Sequence, residues 1–98
     1  MTKINIVYDE IYNDVDIISV PDEIASSMND LAKQFLDWTP PESDSDYWVT
    51  INGKRCLSIE TEGFVKWLNN HYCLNLDEKV HIVVQHTNYC KDYNVIEF

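Results

Sequence analysis

The chain has 98 residues and a mass of 11.5 kDa, and we assign residues 1–98 to a single acidic domain. Apolar residues make up 45% of the sequence and aromatic residues 12%, which argues against disorder. No apolar stretch is long enough to cross a membrane, and the first residues show no secretory signal. Only two glycines occur, Gly53 and Gly63, which excludes glycine-rich phosphate loops and dinucleotide-binding fingerprints.

The charge of the chain is strongly negative and unevenly distributed. Seventeen acidic residues against seven basic residues give a net charge of −10. Residues 1–46 hold eleven of the acids against two lysines and carry −9, whereas residues 47–98 carry −1. Such a field repels nucleic acid and anionic membranes and attracts basic proteins. We therefore expect a basic protein partner and no binding to nucleic acid or membranes. Acidity that serves only solubility is the alternative.

The first part of the chain predicts a hairpin and then a helix. Residues 3–8 predict a strand with Ile4, Ile6 and Tyr8 on one face, and residues 14–20 predict a second strand. A helix is predicted from Pro21 to Trp38, because proline favours the first helical position and Pro40 disfavours helical geometry at the residue before it. The buried face of this helix would be formed by Ile24, Met28, Leu31 and Phe35.

A second hairpin is predicted around Asn52-Gly53, which is the strongest short-range hairpin signal. A two-residue loop would pair Val49 with Cys56. A three-residue loop with a bulge would instead place one apolar set on a single face, formed by Tyr47, Val49, Leu57 and Ile59. Burial of one contiguous apolar face favours the bulged form. In that form Trp48 lies on the opposite face together with Cys56.

The remaining elements complete an α+β pattern. Residues 61–72 predict a helix capped by Thr61, residues 79–87 predict a strand, and residues 94–98 a short final strand. Hairpins with inserted helices indicate an α+β fold. We expect a mostly antiparallel sheet of about five or six strands with two helices packed on one face.

The cysteines and histidines offer a weak alternative chemistry. An odd number of cysteines without a secretory signal indicates reduced, intracellular thiols. Zinc or thiol–imidazole chemistry could draw on His71, Cys73, His86 and Cys90. No nucleophile motif and no Cys-x-x-Cys pair accompanies them. We therefore expect no catalytic residues, no metal and no cofactor, and keep a small metal protein or enzyme as an alternative.

The remaining group of candidate functional residues combines acidic and aromatic side chains. Residues 39–46 form a loop rich in proline, serine and acid, with aromatic residues on both sides. Alternate carboxylates, as at Asp14 and Asp16, lie roughly 6.6 Å apart on an extended chain, close to the phosphate repeat of nucleic acid. Tryptophan and tyrosine beside charged segments are typical of interface anchors. The predicted partner-binding residues are Asp14, Asp16, Asp37, Trp38, Glu42, Asp44, Asp46, Tyr47 and Trp48. The alternative is that Trp38 and Tyr47 belong to the core.

In size, charge, reduced cysteines and α+β pattern, the sequence resembles the small acidic immunity proteins of bacteria, including the contact-dependent inhibition type. The acidic run from Glu42 to Asp46, followed by Tyr47 and Trp48, is the local feature of this resemblance. The resemblance implies a cytoplasmic, non-enzymatic inhibitor that binds a toxin domain, often a basic nuclease, and covers its active or substrate-binding site. We expect a monomer or weak dimer. The alternative is an acidic nucleic-acid mimic of phage or mobile-element origin that blocks a host defence nuclease.

Overall fold

The computed structural model describes residues 1–38, 47–57 and 60–98. Three predicted binding residues, Glu42, Asp44 and Asp46, lie outside the described residues, as does the predicted loop 39–46. In chain order the elements are β1 (Thr2–Val7), β2 (Val15–Val20), α1 (Asp22–Ala25), α2 (Met28–Asp37), β3 (Trp48–Ile51), β4 (Lys54–Leu57), α3 (Thr61–His71), β5 (His81–Thr87) and β6 (Asn94–Glu97). The described residues thus confirm the α+β class and add a third, short helix to the two that were expected.

The main sheet is mixed, with the strand order β5-β2-β1-β6. Strand β2 is antiparallel to β1 and to β5, whereas β6 runs parallel to β1. The expectation of a mostly antiparallel sheet of five or six strands is therefore wrong, since this sheet has four strands in the described part of the chain. The physical reason is twofold. Strands β3 and β4 pair only with each other, and β6 reaches the far edge of the sheet beside β1.

The connection between β5 and β6 covers one face of this sheet. Because β5 and β6 lie at opposite edges, residues 88–93 must cross the sheet between them. The side chain of Asn5 is fully buried and holds the crossing segment: its Nδ2 donates to the Cys90 carbonyl at 2.8 Å, and its Oδ1 accepts from the Cys90 N–H at 3.0 Å. Under this segment lies a small apolar core formed by Val7, Val15 and Ile17.

The helices cover the opposite face of the sheet. The single helix predicted from Pro21 to Trp38 is divided in two, and Ser26 and Ser27 separate α1 from α2. Serine competes with the helical backbone for hydrogen bonds, which is consistent with a break at this pair. The predicted buried face is confirmed, because Ile24, Met28, Leu31 and Phe35 are all buried.

An aromatic core joins α2, α3 and the sheet. The ring of Phe35 lies 5.2 Å from that of Phe64 and 5.4 Å from that of Trp67, between ring centroids. Tyr47 belongs to the same cluster and is only 2% exposed. Tyrosine, tryptophan and phenylalanine each bury a large apolar area, so this cluster is the main source of stability in the helical layer.

The second hairpin corrects a prediction. Asn52 and Gly53 form a two-residue turn with φ angles of 52° and 79°. Strand β3 then pairs with β4 in the register that sets Val49 opposite Cys56, so the bulged form is wrong. Asparagine and glycine tolerate positive φ, and a turn of this type matches the twist of the strands. Local turn chemistry therefore outweighs the argument from a contiguous apolar face.

Candidate functional site

An acidic cleft of about 360 Å³ opens where the end of β1, the start of β2, the N-terminal end of α3 and the C-terminal half of β5 meet. Lysine and arginine are absent from its described lining, and His86 is the one basic residue there. Its carboxylates belong to Asp9, Asp14, Asp16, Glu60 and Glu62. Close carboxylates without a neighbouring cation create a strongly negative potential, which is greatest inside a concave surface.

Asp16 lies at the floor of this cleft and is 8% exposed. Its Oδ2 accepts a hydrogen bond from the Thr61 hydroxyl, and its Oδ1 accepts one from the backbone N–H of His86 at 3.2 Å. Both donors are neutral groups. The structure therefore holds this buried carboxylate by hydrogen bonds alone, without a lysine or arginine partner among the described residues.

A bulge in β5 supplies one of those donors. The pairing of β2 with β5 shifts between Val15 and Ile17, so that Gln85 and His86 together lie opposite Asp16. His86 adopts a φ of 56°, in the left-handed region. A bulge re-aims backbone groups that would otherwise pair with the neighbouring strand. Here it turns the His86 N–H towards the Asp16 carboxylate.

Tyr8 extends this hydrogen-bond network into the sheet. Its hydroxyl oxygen lies 2.8 Å from the Thr61 hydroxyl oxygen. Because the single Thr61 proton is donated to Asp16, Tyr8 must donate to Thr61. Burial raises the pKa of Tyr8 to about 12, with a smaller contribution from the Asp16 charge. The network thus links the residue after β1 to α3 and β2 through a neutral tyrosine and a threonine. The prediction that Thr61 caps the helix is wrong, because Glu60 occupies the cap position.

The rim of the cleft is exposed and more loosely bonded than the floor. The Nδ1 atom of His86 lies 2.9 Å from Oδ1 of Asp14, and this contact raises the pKa of the imidazole. Gln85 donates through Nε2 to Glu62 at 2.7 Å. These side chains are solvated, so a ligand can displace their contacts at little cost.

One exposed apolar side chain lines the cleft, and its neighbour in sequence belongs to an exposed aromatic pair. Ile11 lines the cleft and is 48% exposed. Next to it in sequence, Tyr12 packs edge-on against Tyr89 with 5.5 Å between ring centroids, and both are exposed. The sequence analysis missed these three residues. The signal that was available is an isoleucine and a tyrosine in the polar turn between the first two strands.

The structure places the predicted binding residues in different regions. Asp14 and Asp16 lie together at the cleft. Trp38 and Tyr47 pack in the aromatic core, 5.0 Å apart between ring centroids, as the alternative interpretation expected. Asp37 is exposed at the end of α2, and Trp48 lies in the hairpin with the Arg55 guanidinium over its ring at 5.4 Å. The cleft is thus lined by Glu60, the residue before α3, and by Glu62 of α3 instead of by the predicted aromatics.

The cysteines and histidines do not form a metal site. His86 lies at the cleft, Cys90 on the opposite face of the sheet beside Asn5, and Cys73 is buried in the main core. Burial raises the pKa of the Cys73 thiol, which favours its unreactive protonated form. Within the described ranges, no group of three or more histidine, cysteine, aspartate or glutamate side chains could hold a metal ion.

No protein-family model, curated protein or solved structure matches this chain. Among the described residues, no helix has the length and apolar character needed to cross a membrane. The geometry and charge of the cleft are consequently the observations on which a function can be argued.

Proposed function

We propose that this chain is a non-enzymatic inhibitory binding protein that docks its acidic cleft onto a basic protein. The most specific form of the proposal is an immunity protein that neutralises a nuclease-type toxin in the cytoplasm by covering its active or substrate-binding site. The single observation that carries it is a cleft lined by five carboxylates and by no lysine or arginine among the described residues. A basic surface of a partner would supply the missing positive charge.

The negative field favours rapid encounter with such a partner. Complementary charge raises association rates far more than it raises affinity in general. The rim residues Asp14 and Glu62 are exposed and bond to the polar side chains of His86 and Gln85, so a partner's arginine or lysine can replace those contacts. Nuclease domains bind polyanions and therefore present a basic surface at the site to be blocked.

Ile11 at the cleft and the exposed pair of Tyr12 and Tyr89 would supply contact area. Tyrosine and isoleucine that are exposed next to charged groups resemble the anchors of protein interfaces, which polar residues surround. Tyr12 and Tyr89 already support one another, so binding would cost these side chains little conformational entropy. Ile11, Tyr12 and Tyr89 together with the cleft thus form the binding surface that we propose.

The burial of Asp16 favours this function over nucleic-acid mimicry. A phosphate mimic needs carboxylates at the surface, whereas Asp16 is 8% exposed and accepts hydrogen bonds from Thr61 and His86. Asp14 lies on the rim. The two carboxylates therefore differ in depth and do not form the evenly spaced row that mimicry requires.

The experiment uses the polypeptide that copurifies with this chain from its natural host, or the basic toxin domain encoded by a neighbouring gene. Two double variants remove the same charge: Asp14→Asn with Glu62→Gln at the cleft, and Glu23→Gln with Asp30→Asn on α1 and α2. We expect the cleft variant to slow association with the partner about tenfold at low salt and to weaken its salt dependence. Stopped-flow or surface-plasmon kinetics measure both effects.

The control variant should bind within about twofold of the natural chain, because its charges lie away from the cleft. Equal losses in the two variants would show a non-specific charge effect and contradict the proposed site. Partners that are all neutral or acidic would overturn the function itself. Inhibition of the partner's nuclease activity, titrating at one inhibitor per enzyme, supports the immunity form of the proposal.

A further inference from the structure

His86 differs from every other residue that lines the acidic cleft in the described part of the chain. The rest of that lining consists of five carboxylates and neutral side chains, with no lysine or arginine. Histidine is the side chain that ordinarily changes its charge between about pH 5 and 8. When the imidazole is protonated, one positive charge opposes the five carboxylates, and when it is neutral none does. The charge of the cleft near neutral pH therefore depends on this residue.

The backbone of His86 is held independently of its ring. Its φ of 56° lies in the bulge of β5, and its N–H donates to Oδ1 of Asp16 at the floor of the cleft, at 3.2 Å. The side chain is 80% exposed, and its Nδ1 lies 2.9 Å from Oδ1 of Asp14 at the rim. The exposed ring can therefore leave Asp14 by rotation of its side chain, while the backbone contact to the floor remains.

Carboxylates surround this imidazole from each neighbouring element. Asp14 makes the direct contact and raises the pKa of His86 above its ordinary 6.5, through the hydrogen bond first and its charge second. Asp16 in β2 and Glu62 in α3 act in the same direction with smaller contributions. All the carboxylates of the lining belong to Asp9, Asp14, Asp16, Glu60 and Glu62. The protonated ring is thus bound at the rim as a cationic side chain of another protein would be.

We propose that the imidazolium of His86 occupies the position at Asp14 that a cationic side chain of the partner takes on binding, so that protons and the partner compete for this carboxylate. The inference rests on the proposed function and names a regulation of the same site. Arginine and lysine keep their charge between pH 5.5 and about 8.5, whereas an imidazole loses its proton in that range. Rising pH therefore frees Asp14 without weakening the partner's cation.

The competition acts in both directions. Binding should become tighter as the pH rises through the pKa of His86 in the folded protein, because the imidazolium then no longer holds Asp14. By thermodynamic linkage, a bound cation should lower the pKa of His86 to the same extent. These two effects have the same cause and can be measured separately.

The test uses a peptide of four arginines with blocked ends, whose charge is constant over this pH range, and the full-length protein at low salt. NMR of ¹³C-labelled protein follows the methyl groups of Ile11, which lines the cleft, and the ring of His86. We expect the peptide to bind about fivefold more tightly at pH 8.5 than at pH 5.5, the size of an exposed ion pair. A saturating concentration should lower the pKa of His86, and a peptide of four glutamines should leave it unchanged.

Three variants isolate the competing group. His86→Asn removes the titrating ring and keeps a residue that tolerates positive φ, so its affinity should differ less than about twofold between the two pH values. Asp14→Asn should bind the peptide more weakly and also lose most of the pH dependence, because the carboxylate at issue is gone. His81→Asn is the control, since His81 is exposed in β5 and does not line the cleft, and it should keep the fivefold dependence.

The outcomes separate this inference from the proposed function. Tighter binding at pH 5.5, no binding of the peptide at either pH, or a fivefold dependence that persists in His86→Asn overturns the inference. Full dependence in Asp14→Asn would show a general effect of charge instead of competition and overturns it too. If His86→Asn does not fold, the pKa of His86 with and without peptide decides the question in the natural chain. Association kinetics with the natural partner test the proposed function independently of these results.

Discussion

The aromatic core and the acidic cleft both include residues of helix α3, but the side chains of the two regions have different kinds of partner. Beyond its first turn the helix contributes Phe64, Trp67 and Leu68 to a cluster of buried rings. At its N-terminal end Glu60, Thr61 and Glu62 line the cleft. In the core, the apolar side chains pack against other side chains of the same chain. The cleft carboxylates have neutral donors and one histidine among the described residues, with no lysine or arginine.

Because of this difference, the core residues of α3 contribute mainly to stability, whereas the residues at its N-terminal end line the site that we propose for binding. The core is complete without a ligand, so changes there should alter the free energy of unfolding. The cleft concentrates like charge, which costs stability and is retained where function requires it. Among residues 1–38, 47–57 and 60–98, Trp67 is the one exception in the core, since its buried Nε1 has no hydrogen-bond partner there. Substitutions at the two ends of α3 should therefore have effects of different kinds.

The largest effect is expected for Phe64→Ala. Phe64 has no exposed surface and lies 5.1 Å from Phe98 and 5.2 Å from Phe35 between ring centroids. The cavity should lower the free energy of unfolding by about 3–5 kcal/mol, a large share of the roughly 5–15 kcal/mol of an ordinary domain. Urea denaturation measures the change. The control Leu36→Ala, at a residue 43% exposed, should stay within about 0.5 kcal/mol. Similar losses in the two variants would contradict the assignment of the core.

The second effect tests the floor of the cleft. Asp16→Ala leaves the Thr61 hydroxyl and the His86 N–H without their acceptor and should lower the free energy of unfolding by about 1–3 kcal/mol. Asp16→Asn should cost less, because the amide oxygen can still accept from the His86 N–H while the amide nitrogen donates to the Thr61 oxygen in a reversed hydrogen bond. Asp14→Ala is the matched control, since its carboxylate is exposed and bonds to the exposed His86 ring. An Asp16→Ala variant as stable as Asp14→Ala would show that the floor network contributes nothing.

The core was more predictable from sequence than the cleft, for a physical reason. The spacing of Ile24, Met28, Leu31 and Phe35 specifies a buried helix face through local periodicity alone, and all four are buried. The cleft is formed by residues from four distant elements. Glu60 and Glu62 join Asp14 and Asp16 only because β5 bulges and α3 begins beside β2. No local sequence pattern predicts that these residues lie close together.

The order and direction of the strands in the main sheet could not be predicted from the sequence either, for a related reason. The alternation that predicts a final strand at residues 94–98 does not specify its neighbour, and β6 pairs in parallel with β1. Asn5 gives no signal in the sequence. It lies between Ile4 and Ile6 at a position where the pattern of β1 predicts an exposed polar side chain, yet in the structure it is fully buried and holds the segment that crosses the sheet. A buried polar residue needs hydrogen-bond partners, and here they come from a segment distant in sequence.

A smaller effect is expected where the two regions meet, at Tyr8. Tyr8→Phe removes the donor to Thr61 and should cost about 0.5–1.5 kcal/mol. The pKa of Tyr8 is about 12 in the folded state against an ordinary value of 10.0. The unfolded chain therefore loses this proton first as the pH rises, and stability should fall progressively between those two values. Urea midpoints across this range should fall less steeply in the Phe variant. Identical slopes would contradict a buried, neutral tyrosine.

The smallest effect concerns the rim, where Asp14 raises the pKa of His86 above its ordinary 6.5 through their hydrogen bond and charge. Asp16 and Glu62 face the same imidazole and act in the same direction. A raised pKa means that the contact stabilises the fold fully below the pKa of the unfolded chain, and that this stabilisation is lost as the pH rises through the pKa of the folded protein.

Asp14→Asn should lower the pKa of His86 in an NMR titration while the unfolding midpoint hardly changes, because both side chains are exposed. The same titration with Glu23→Gln should leave His86 unchanged. A His86 titration that is insensitive to Asp14→Asn would show that the rim contact does not persist in solution, and that the rim carboxylate is already free to meet a cationic partner.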